Sequence, residues 1–219
     1  MSPETKNCQN CKQEFRIEPE DFLFYEKIKV PTPTFCPECR LQRRMLVSNE
    51  RALYKTPCAL CGKENISMYS RNTFFPVYCM ECWRGDQWDG TSFGQPYDFS
   101  RLFFEQFTEL KKLVPRVALL QQGNMTRSEY ANRSSNDSDC YLVFRSNFDE
   151  KCLYGHTVND SKDCVDCLNV QKSELTHEGV DCFNCYNIKY SRECKNCQES
   201  FFLYDCRNCS NCFGCAGLR

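Results

Sequence analysis

Small and apolar residues recur at regular intervals in the last third of the chain. From residue 140 onward every sixth position is small or apolar, and none is charged: Cys140, Ser146, Cys152, Val158, Cys164, Val170, Thr176, Cys182, Ile188, Cys194, Ser200, Cys206, Cys212 and Leu218. A second series runs three residues out of phase, from Val143 to Cys215, and only Asp149 interrupts it. The intervening positions carry Asp, Asn, Lys, Glu, Arg and aromatic residues. This short fixed period, with small residues inside and polar residues outside, is typical of a β-solenoid.

The spacing of one phrase indicates the length of the coil. Six residues per face allow a two-sided coil of twelve residues or a three-sided coil of eighteen. The phrase acidic-Cys-x-Asn-Cys begins at residues 181, 193 and 205, twelve residues apart each time, and therefore favours twelve.

The cysteines of this region are expected to fill a narrow core as small hydrophobic residues, each contributing about 1 kcal/mol through burial. All of them fall on one three-residue grid: Cys140, Cys152, Cys164, Cys167, Cys182, Cys185, Cys194, Cys197, Cys206, Cys209, Cys212 and Cys215. Two alternatives stay open, namely two or three further zinc ions and disulfides between facing ladders. The coil edge at 212–219 would have unpaired backbone groups, so we expect self-association there or a capping segment beyond it.

The clearest helix signal is "YDFSRLFFEQFTELKKLVPR". Asp98 or Ser100 is a suitable N-cap, and Pro115 ends the pattern. Apolar residues recur between them at helical spacing: Phe99, Phe103, Phe107, Leu110 and Val114. We expect this apolar face to pack inside the protein, between its two halves, although a helix that binds a partner or a membrane surface has the same pattern.

Composition and charge narrow the class of protein. The chain has 219 residues, 41% of them apolar, with 20 cysteines and a net charge of −1. The first residues, "MSPETKNCQNCKQ", contain no apolar signal region, and no run approaches the ~20 apolar residues of a membrane span. We therefore expect a cytoplasmic protein, and in a reducing cytosol cysteines more often bind metal or lie in a core than form disulfides.

Eight cysteines in residues 1–90 form four CxxC pairs: Cys8/Cys11, Cys36/Cys39, Cys58/Cys61 and Cys79/Cys82. A CxxC turn brings two thiolates to one tetrahedral ion, and two such pairs complete a four-cysteine zinc site. The loops within the two sets of pairs are 24 and 17 residues long, which suits this arrangement. We predict two zinc ions. Sequential pairing of the CxxC turns is simplest, while an interleaved cross-brace would use the same ligands.

Residues 1–52 predict a treble clef. "NCQNCKQEF" forms a knuckle, "FLFYEKIKV" supplies strand-like or aromatic packing, and "PTFCPECRLQRRML" places the second knuckle at the start of a basic helix. The elements that carry a resemblance are Cys8, Cys11, Phe15, Phe24-Tyr25-Glu26 and Cys36-Pro37-Glu38-Cys39-Arg40. With "YCMECWRGDQWDG" and the terminal "SNCFGCAGLR", they are similar to uncharacterised multi-cysteine proteins of candidate-phylum bacteria. That resemblance implies zinc and a bacterial cytosolic setting, and supplies no activity.

The expected fold is a small zinc-stabilised α+β head of two treble-clef or zinc-ribbon units, a linking helix and a C-terminal all-β, cysteine-cored β-solenoid. The boundaries follow the patterns above. We expect a first zinc unit at 1–52, a second at 53–95, an amphipathic linking or capping helix at 96–116, a linker or first irregular coil at 117–138, and the solenoid at 139–219.

The sequence contains no catalytic constellation. His156 and His177 lack a nucleophile in a suitable pattern, and there is no phosphate-binding glycine loop or HExxH motif. We therefore expect a non-enzymatic interaction or scaffold protein that presents the solenoid surface to a protein or ribonucleoprotein partner.

Two other functions are compatible with the sequence. The first is nucleic-acid binding by the basic helix after Cys39 and its surroundings (Arg40, Arg43, Arg44 and Arg51), with Trp83 and Trp88 stacking on bases. Residues 1–90 carry 13 basic and 12 acidic residues, so a solvated basic face balanced by Glu38 and Glu50 is the simpler interpretation. Thiol-redox chemistry is a weaker alternative.

Overall fold

Backbone contacts divide the chain into two units, Met1–Asn49 and Glu50–Arg219. The computed structural model describes residues 2–46, 49–196, 198–208 and 210–217. None of the helices in these ranges is long and apolar enough to cross a bilayer.

The first unit is a hairpin followed by two helices. Strands β1 (Glu4–Asn7) and β2 (Glu14–Ile17) pair in antiparallel fashion, and α1 (Pro19–Lys27) and α2 (Pro37–Leu46) follow them. Each helix has proline at its start, where the missing N–H is not needed for an intrahelical bond.

Residues 22–30, expected to pack as a strand or an aromatic segment, are helical as far as Lys27. Local signals explain the difference. Pro19 stands at the start of the helix, and the backbone N–H of Glu18 donates to the Asp21 carboxylate at 3.1 Å. These start signals outweigh the β preference of the aromatic residues in this segment.

The second unit begins with a hairpin and a short helix. Its first elements are β3 (Tyr54–Pro57), β4 (Glu64–Ser67), β5 (Val77–Tyr78), α3 (Met80–Arg84), a 3-10 turn at Gly90–Phe93, α4 (Phe103–Leu113) and β6 (Arg116–Val117). Strands β3 and β4 are antiparallel, whereas β6 pairs in parallel with β5 and so returns the chain to the hairpin region after α4.

Helix α4 is present, but its apolar face is open. No residue of α4 is buried, and Phe103 and Phe107 of its apolar face are 53% and 44% exposed. The helix begins at Phe103, and Asp98 instead accepts a hydrogen bond from the Ser100 amide at 2.8 Å. The rings of Phe103 and Phe107 stack on each other at 5.6 Å. The expectation that this helix packs inside the protein is therefore wrong.

A β-solenoid forms the rest of the second unit. Its strands are β7 (Gln121–Gln122), β8 (Ser134–Ser135), β9 (His156–Asn159), β10 (Leu168–Gln171), β11 (His177–Val180), β12 (Ile188–Arg192) and β13 (Ser200–Phe201). All pairs between them are parallel, and β9 to β13 form one sheet. Partners such as Val158 and Val170 stand twelve residues apart, and single bridges extend this register to Ala216. The twelve-residue coil is confirmed, in about seven turns.

Residues 117–138 contain the first coil. Gln121–Gln122 pairs with Ser134–Ser135, an offset of thirteen residues from 121 to 134. Thr126 bridges to Ser138 at the regular offset of twelve. The segment therefore starts the solenoid with one extra residue, as an irregular first coil.

Between residues 133 and 181 the backbone bends at every third residue. Leu142, Arg145, Phe148 and Lys151 all have φ between 51° and 57°, in the left-handed region. Each coil thus has four short sides of three residues, and the two-sided coil expected from the six-residue series is wrong. Left-handed backbone costs a side chain about 1 kcal/mol, and Asn and Asp tolerate it best. These types occupy many of the corners, among them Asn136, Asp139, Asp160, Asp163, Asp166, Asn169 and Asp181.

The four inward positions of each coil stack in four columns along the solenoid. One column contains Cys140, Cys152 and Cys164, each at most 2% exposed. The inward side chains of all four sides of a coil meet in the same narrow interior. Because this space is close-packed, the inward residues are small. The column through Asp137 and Asp149 is polar at its start and continues as Ser161, Ser173 and Cys185.

Candidate metal centres

Two groups of four cysteine sulfur atoms lie close enough to share an ion. In each group all sulfur atoms lie within 4.8 Å of one another: Cys8, Cys11, Cys36 and Cys39 in the first unit, and Cys58, Cys61, Cys79 and Cys82 in the second. A tetrahedral ion with bonds of about 2.3 Å needs sulfur atoms roughly 3.8 Å apart. The grouping is sequential, so the interleaved cross-brace is not the arrangement of this protein.

The first centre forms between the β1–β2 turn and the start of α2. The turn closes through a hydrogen bond from the Lys12 amide to the Cys8 carbonyl at 3.0 Å, with Lys12 in the left-handed region. The amide of Cys36 donates to the Cys8 sulfur at 3.2 Å, and the Asn10 side chain donates to the Cys39 sulfur at 3.3 Å. Such N–H donors orient thiolate ligands and stabilise their charge.

The second centre repeats this geometry. Gly62 follows the second cysteine of its turn, as Lys12 does in the first centre, and also has positive φ. The amides of Leu60 and Cys79 donate to the Cys58 sulfur at 3.4 and 3.2 Å. Cys79 is the N-cap of α3, and its sulfur accepts from the Cys82 amide. In both centres the second CxxC pair stands at a helix N-terminus, where negative charge is stabilised.

The thiol pKa values differ within each group, and in the first group the pKa of Cys11 is raised to about 11, where backbone N–H donation from Gln13 is outweighed by burial and the neighbouring thiols. Burial opposes ionisation of Cys8, but the N–H groups of Cys36 and Cys11 donate to its sulfur and lower its pKa to about 6. Burial opposes ionisation of Cys58 too, and backbone N–H groups again lower the pKa to about 6. Burial and the neighbouring thiols raise the pKa of Cys82. Four thiolates at this separation repel one another, so a divalent ion is needed for all four to ionise.

The cysteines of the solenoid have a different environment. Cys140 and Cys152 each direct the thiol to the carbonyl oxygen two residues earlier, at 3.4 and 3.5 Å, and similar contacts recur up to Cys215. Hydrogen bonds to neighbouring thiols, together with burial, raise the pKa of Cys152. All solenoid cysteines that the structure describes are free thiols, and the metal-capable groups among the described residues are the two above. Cys197 and Cys209 lie outside the described residues.

The four arginines proposed for nucleic acid are divided between the two units, and most of them contact residues of their own unit. Arg40 donates to the Tyr25 hydroxyl at 3.3 Å, and the Arg43 guanidinium lies 4.8 Å from the centre of the Phe35 ring. Arg44 is exposed on α2. Arg51 belongs to the second unit, where its guanidinium lies over Phe144 of the solenoid, 5.7 Å from the ring centre. Helix α2 ends at Leu46, before the chain reaches Arg51.

The tryptophans and histidines contact other residues of the second unit. Trp88 donates to the carbonyl of Trp83 at 3.2 Å, and the two rings lie 4.6 Å apart beside the second cysteine centre. His156 Nε2 lies 3.4 Å from the Glu50 carboxylate, and His177 packs edge-on against Tyr190.

Sequence reasoning missed the ion pairs of Glu50 and the burial of Asp137. Glu50, expected only to balance the basic helix, faces Arg133 and Arg145 of successive coils. The twelve-residue spacing of these arginines was the available signal. Asp137 was also missed as a buried group. It lies one coil before Asp149 on the inward grid, and the Asp149 amide donates to its carboxylate at 3.1 Å.

Comparison of the chain with protein-family models finds no match, and comparison with curated proteins finds none either. The fold and the sites define the class: a protein with two four-cysteine, metal-capable centres and a twelve-residue-coil β-solenoid.

Proposed function

We propose that both cysteine centres hold structural zinc. Four sulfur ligands in a closed cluster suit zinc or iron, and the centres leave no ligand position for a reacting water. The ligand turns are short, and a small cluster of buried residues surrounds the cysteines of each centre. Metal binding therefore contributes directly to the folding free energy of the segments around each centre.

Elemental analysis of purified protein tests the metal. We expect two zinc ions per chain and no colour from iron. A stoichiometry of four or five would mean that solenoid thiols also bind zinc, and absence of zinc would contradict the proposal.

We propose further that the protein is a non-enzymatic scaffold that presents its solenoid to a protein partner. The observation that supports this is the ordered outer surface, where aromatic rings of successive coils stack. Tyr190 and Phe202 stack at 5.3 Å with 9° between their planes, and Phe213 meets the Phe202 ring edge-on at 5.6 Å. Tyr190 is 46% and Phe202 52% exposed. Aromatic side chains fixed on a rigid support lose little entropy on binding and are enriched in interface hot spots.

Paired variants test the scaffold role. Tyr190→Ser with Phe202→Ser removes the stacked rings, and Phe148→Ser with Phe183→Ser removes exposed rings elsewhere on the solenoid as a control. We expect a partner that co-purifies from cells of the source organism to bind the first variant at least about tenfold more weakly, and the control normally. Equal binding by wild type and both variants would contradict the proposed surface, as would the absence of any partner.

Nucleic-acid binding and thiol-redox activity remain alternatives with direct tests. The first has weaker support, because Arg40 and Arg43 are engaged within their own unit. Salt-sensitive RNA or DNA binding that is lost in Arg43→Ala with Arg44→Ala would favour it. Reduction of insulin disulfides would favour the second. Self-association through the last coils stays a prediction for light scattering.

A further inference from the structure

A cleft of about 530 Å³ lies within the second unit, between α3 and the first coil. Small-molecule sites commonly have volumes of about 300 to 1,000 Å³. Its lining includes Trp83 and Arg84 of α3, Leu120 and Gln121 at the start of the first coil, and Arg133. A second hollow of about 470 Å³ shares Arg84 and Gln121 and extends the cleft towards Asn124 and Thr126.

Arg84 brings uncompensated positive charge to the cleft. Its Nη2 donates to the Gln121 carbonyl at 3.0 Å, which fixes the guanidinium beside the cleft. Among the described residues, no carboxylate lies within 4.0 Å of it. The remaining N–H groups of this side chain are available to a ligand.

Arg133 supplies a second positive charge. Its nearest carboxylate is Glu50, whose oxygens accept from Arg145 at 2.5 to 2.9 Å. The Arg133 Nε atom lies 3.5 Å from the same carboxylate and makes no hydrogen bond. One carboxylate thus faces two guanidinium groups, and the cleft keeps a net positive charge with Arg84 and Arg133 on its walls.

The other walls are apolar and aromatic. Trp83 is partly buried, its ring centre lies 4.6 Å from that of Trp88, and the residue lines the cleft. Leu119 and Leu120 contribute aliphatic surface beside it. A flat apolar wall beside guanidinium groups suits a ligand that has a planar ring and a phosphate, because arginine binds phosphate oxygens in pairs and aromatic rings stack on bases.

We propose that this cleft binds a nucleotide, with the base against Trp83 and the phosphate between Arg84 and Arg133. This site is separate from the solenoid surface proposed for a protein partner, and it requires no reaction.

Intrinsic fluorescence of the zinc-loaded full chain tests the site, because both tryptophans of the protein, Trp83 and Trp88, lie at or beside the cleft. We expect adenosine monophosphate to change the emission saturably, with a Kd below about 1 mM. Adenosine alone and inorganic phosphate alone each lack half of the recognised chemistry, so we expect each to bind at least about tenfold more weakly.

Variants connect the signal to the cleft. Arg84→Gln should weaken nucleotide binding at least about tenfold, and Arg133→Gln should weaken it in the same direction. Arg71→Gln is the matched control, since Arg71 lies in the same unit, pairs with Glu64 and does not border the cleft. Circular dichroism and zinc content establish that each variant is folded.

Three results would overturn the proposal. The first is no saturable change with nucleotide up to about 10 mM. The second is equal affinity for inorganic phosphate and for the nucleotide, which would remove the role of the ring. The third is equal weakening by Arg84→Gln and Arg71→Gln. None of these depends on whether a protein partner binds the solenoid.

Discussion

The guanidinium of Arg145 donates from Nε and Nη2 to the carboxylate of Glu50, 95 residues earlier in the sequence, at 2.5 to 2.9 Å. The Glu50 side chain is only 13% exposed, and its backbone carbonyl accepts from the Asn132 side chain at 3.0 Å. The segment before β3 is thereby fixed to the early coils. Charge-assisted, two-point hydrogen bonds of a largely buried carboxylate are the strong kind.

Glu50→Gln should therefore lower the free energy of unfolding of the second unit by about 1 to 3 kcal/mol. Urea denaturation followed by tryptophan fluorescence measures this unit alone, since both tryptophans belong to it. Glu64→Gln is the control, because Glu64 and its partner Arg71 are more than half exposed, and should cost less than about 1 kcal/mol. Equal effects of the two substitutions would show that the Glu50 cluster does not stabilise the solenoid.

Loss of one cysteine should empty one centre and spare the other. Cys8→Ser removes a buried ligand that accepts the Cys36 amide, and Cys58→Ser removes its counterpart in the second centre. We expect each single variant to retain one zinc ion per chain and the double variant none, because each group has its own four ligands. Elemental analysis after gel filtration measures the content. Loss of both ions in a single variant would contradict two separate centres.

The pair Asp137 and Asp149 predicts a pH dependence of stability. Asp149 is 1% exposed, and burial raises its pKa to about 8 despite a hydrogen bond from the Ser161 amide. Burial also raises the pKa of Asp137. An unfolded aspartate titrates near pH 3.9, so the folded protein binds a proton that the unfolded chain releases. The favourable contribution of this proton is complete below about pH 4 and is lost as the pH rises through about 8.

Asp149→Asn should remove this dependence, because the amide stays neutral. Relative to wild type, the variant should gain about 1.4 kcal/mol of unfolding free energy per pH unit as the pH rises towards about 8. Urea titrations of the zinc-loaded protein between about pH 5.5 and 8.5 measure the difference. Asp166→Asn makes the same substitution at an exposed solenoid corner and is the matched control. A constant difference between Asp149→Asn and wild type would contradict burial of an ionisable carboxyl group.

The narrow interior predicts a cost for one added methyl group. A Cβ atom on Gly155 would lie 2.8 Å from Cγ2 of Val158, and one on Gly179 would lie 2.7 Å from Cγ2 of Thr176. We expect Gly155→Ala and Gly179→Ala each to destabilise the second unit by about 1 to 3 kcal/mol. Gly90→Ala, whose added atom would meet Trp88 at an ordinary 3.8 Å, is the control and should change stability by less than about 1 kcal/mol. Thermal unfolding measures the stability of the three variants. Equal stability of all three would mean that the solenoid core accommodates an added methyl group without cost.

The sequence predicted those features that depend on spacing alone. The acidic-Cys-x-Asn-Cys phrase gave the coil length, since a parallel register repeats with its sequence period. The CxxC pairs predicted two metal-capable groups, because a CxxC turn places two thiolates beside each other. The resemblance to bacterial multi-cysteine proteins and the cytoplasmic setting stay predictions.

Features that depend on long-range contacts did not follow from the pattern. The amphipathic spacing in α4 identified an apolar face, but the residues that could cover such a face belong to other parts of the fold, and here Phe103 and Phe107 remain exposed. The sequence suggested a two-sided coil because small residues recur every six positions, and six residues were taken as the length of one side. The corners at every third residue depend on left-handed backbone angles. Residue types such as those of Leu142 and Phe148 do not favour these angles, so the sequence did not indicate the corners. Glu50 lies far from Arg145 in sequence, so no local signal joins them.

From Thr126 onward, all described bridges between successive coils join residues twelve positions apart. A duplicated segment of twelve residues would therefore meet the same backbone partners as the original, and the array could grow or shrink by whole units through simple gene duplication or deletion. An insertion whose length is not a multiple of twelve, built into the coils, would turn the following side chains away from their columns, which makes the number of coils easier to change than the shape of one.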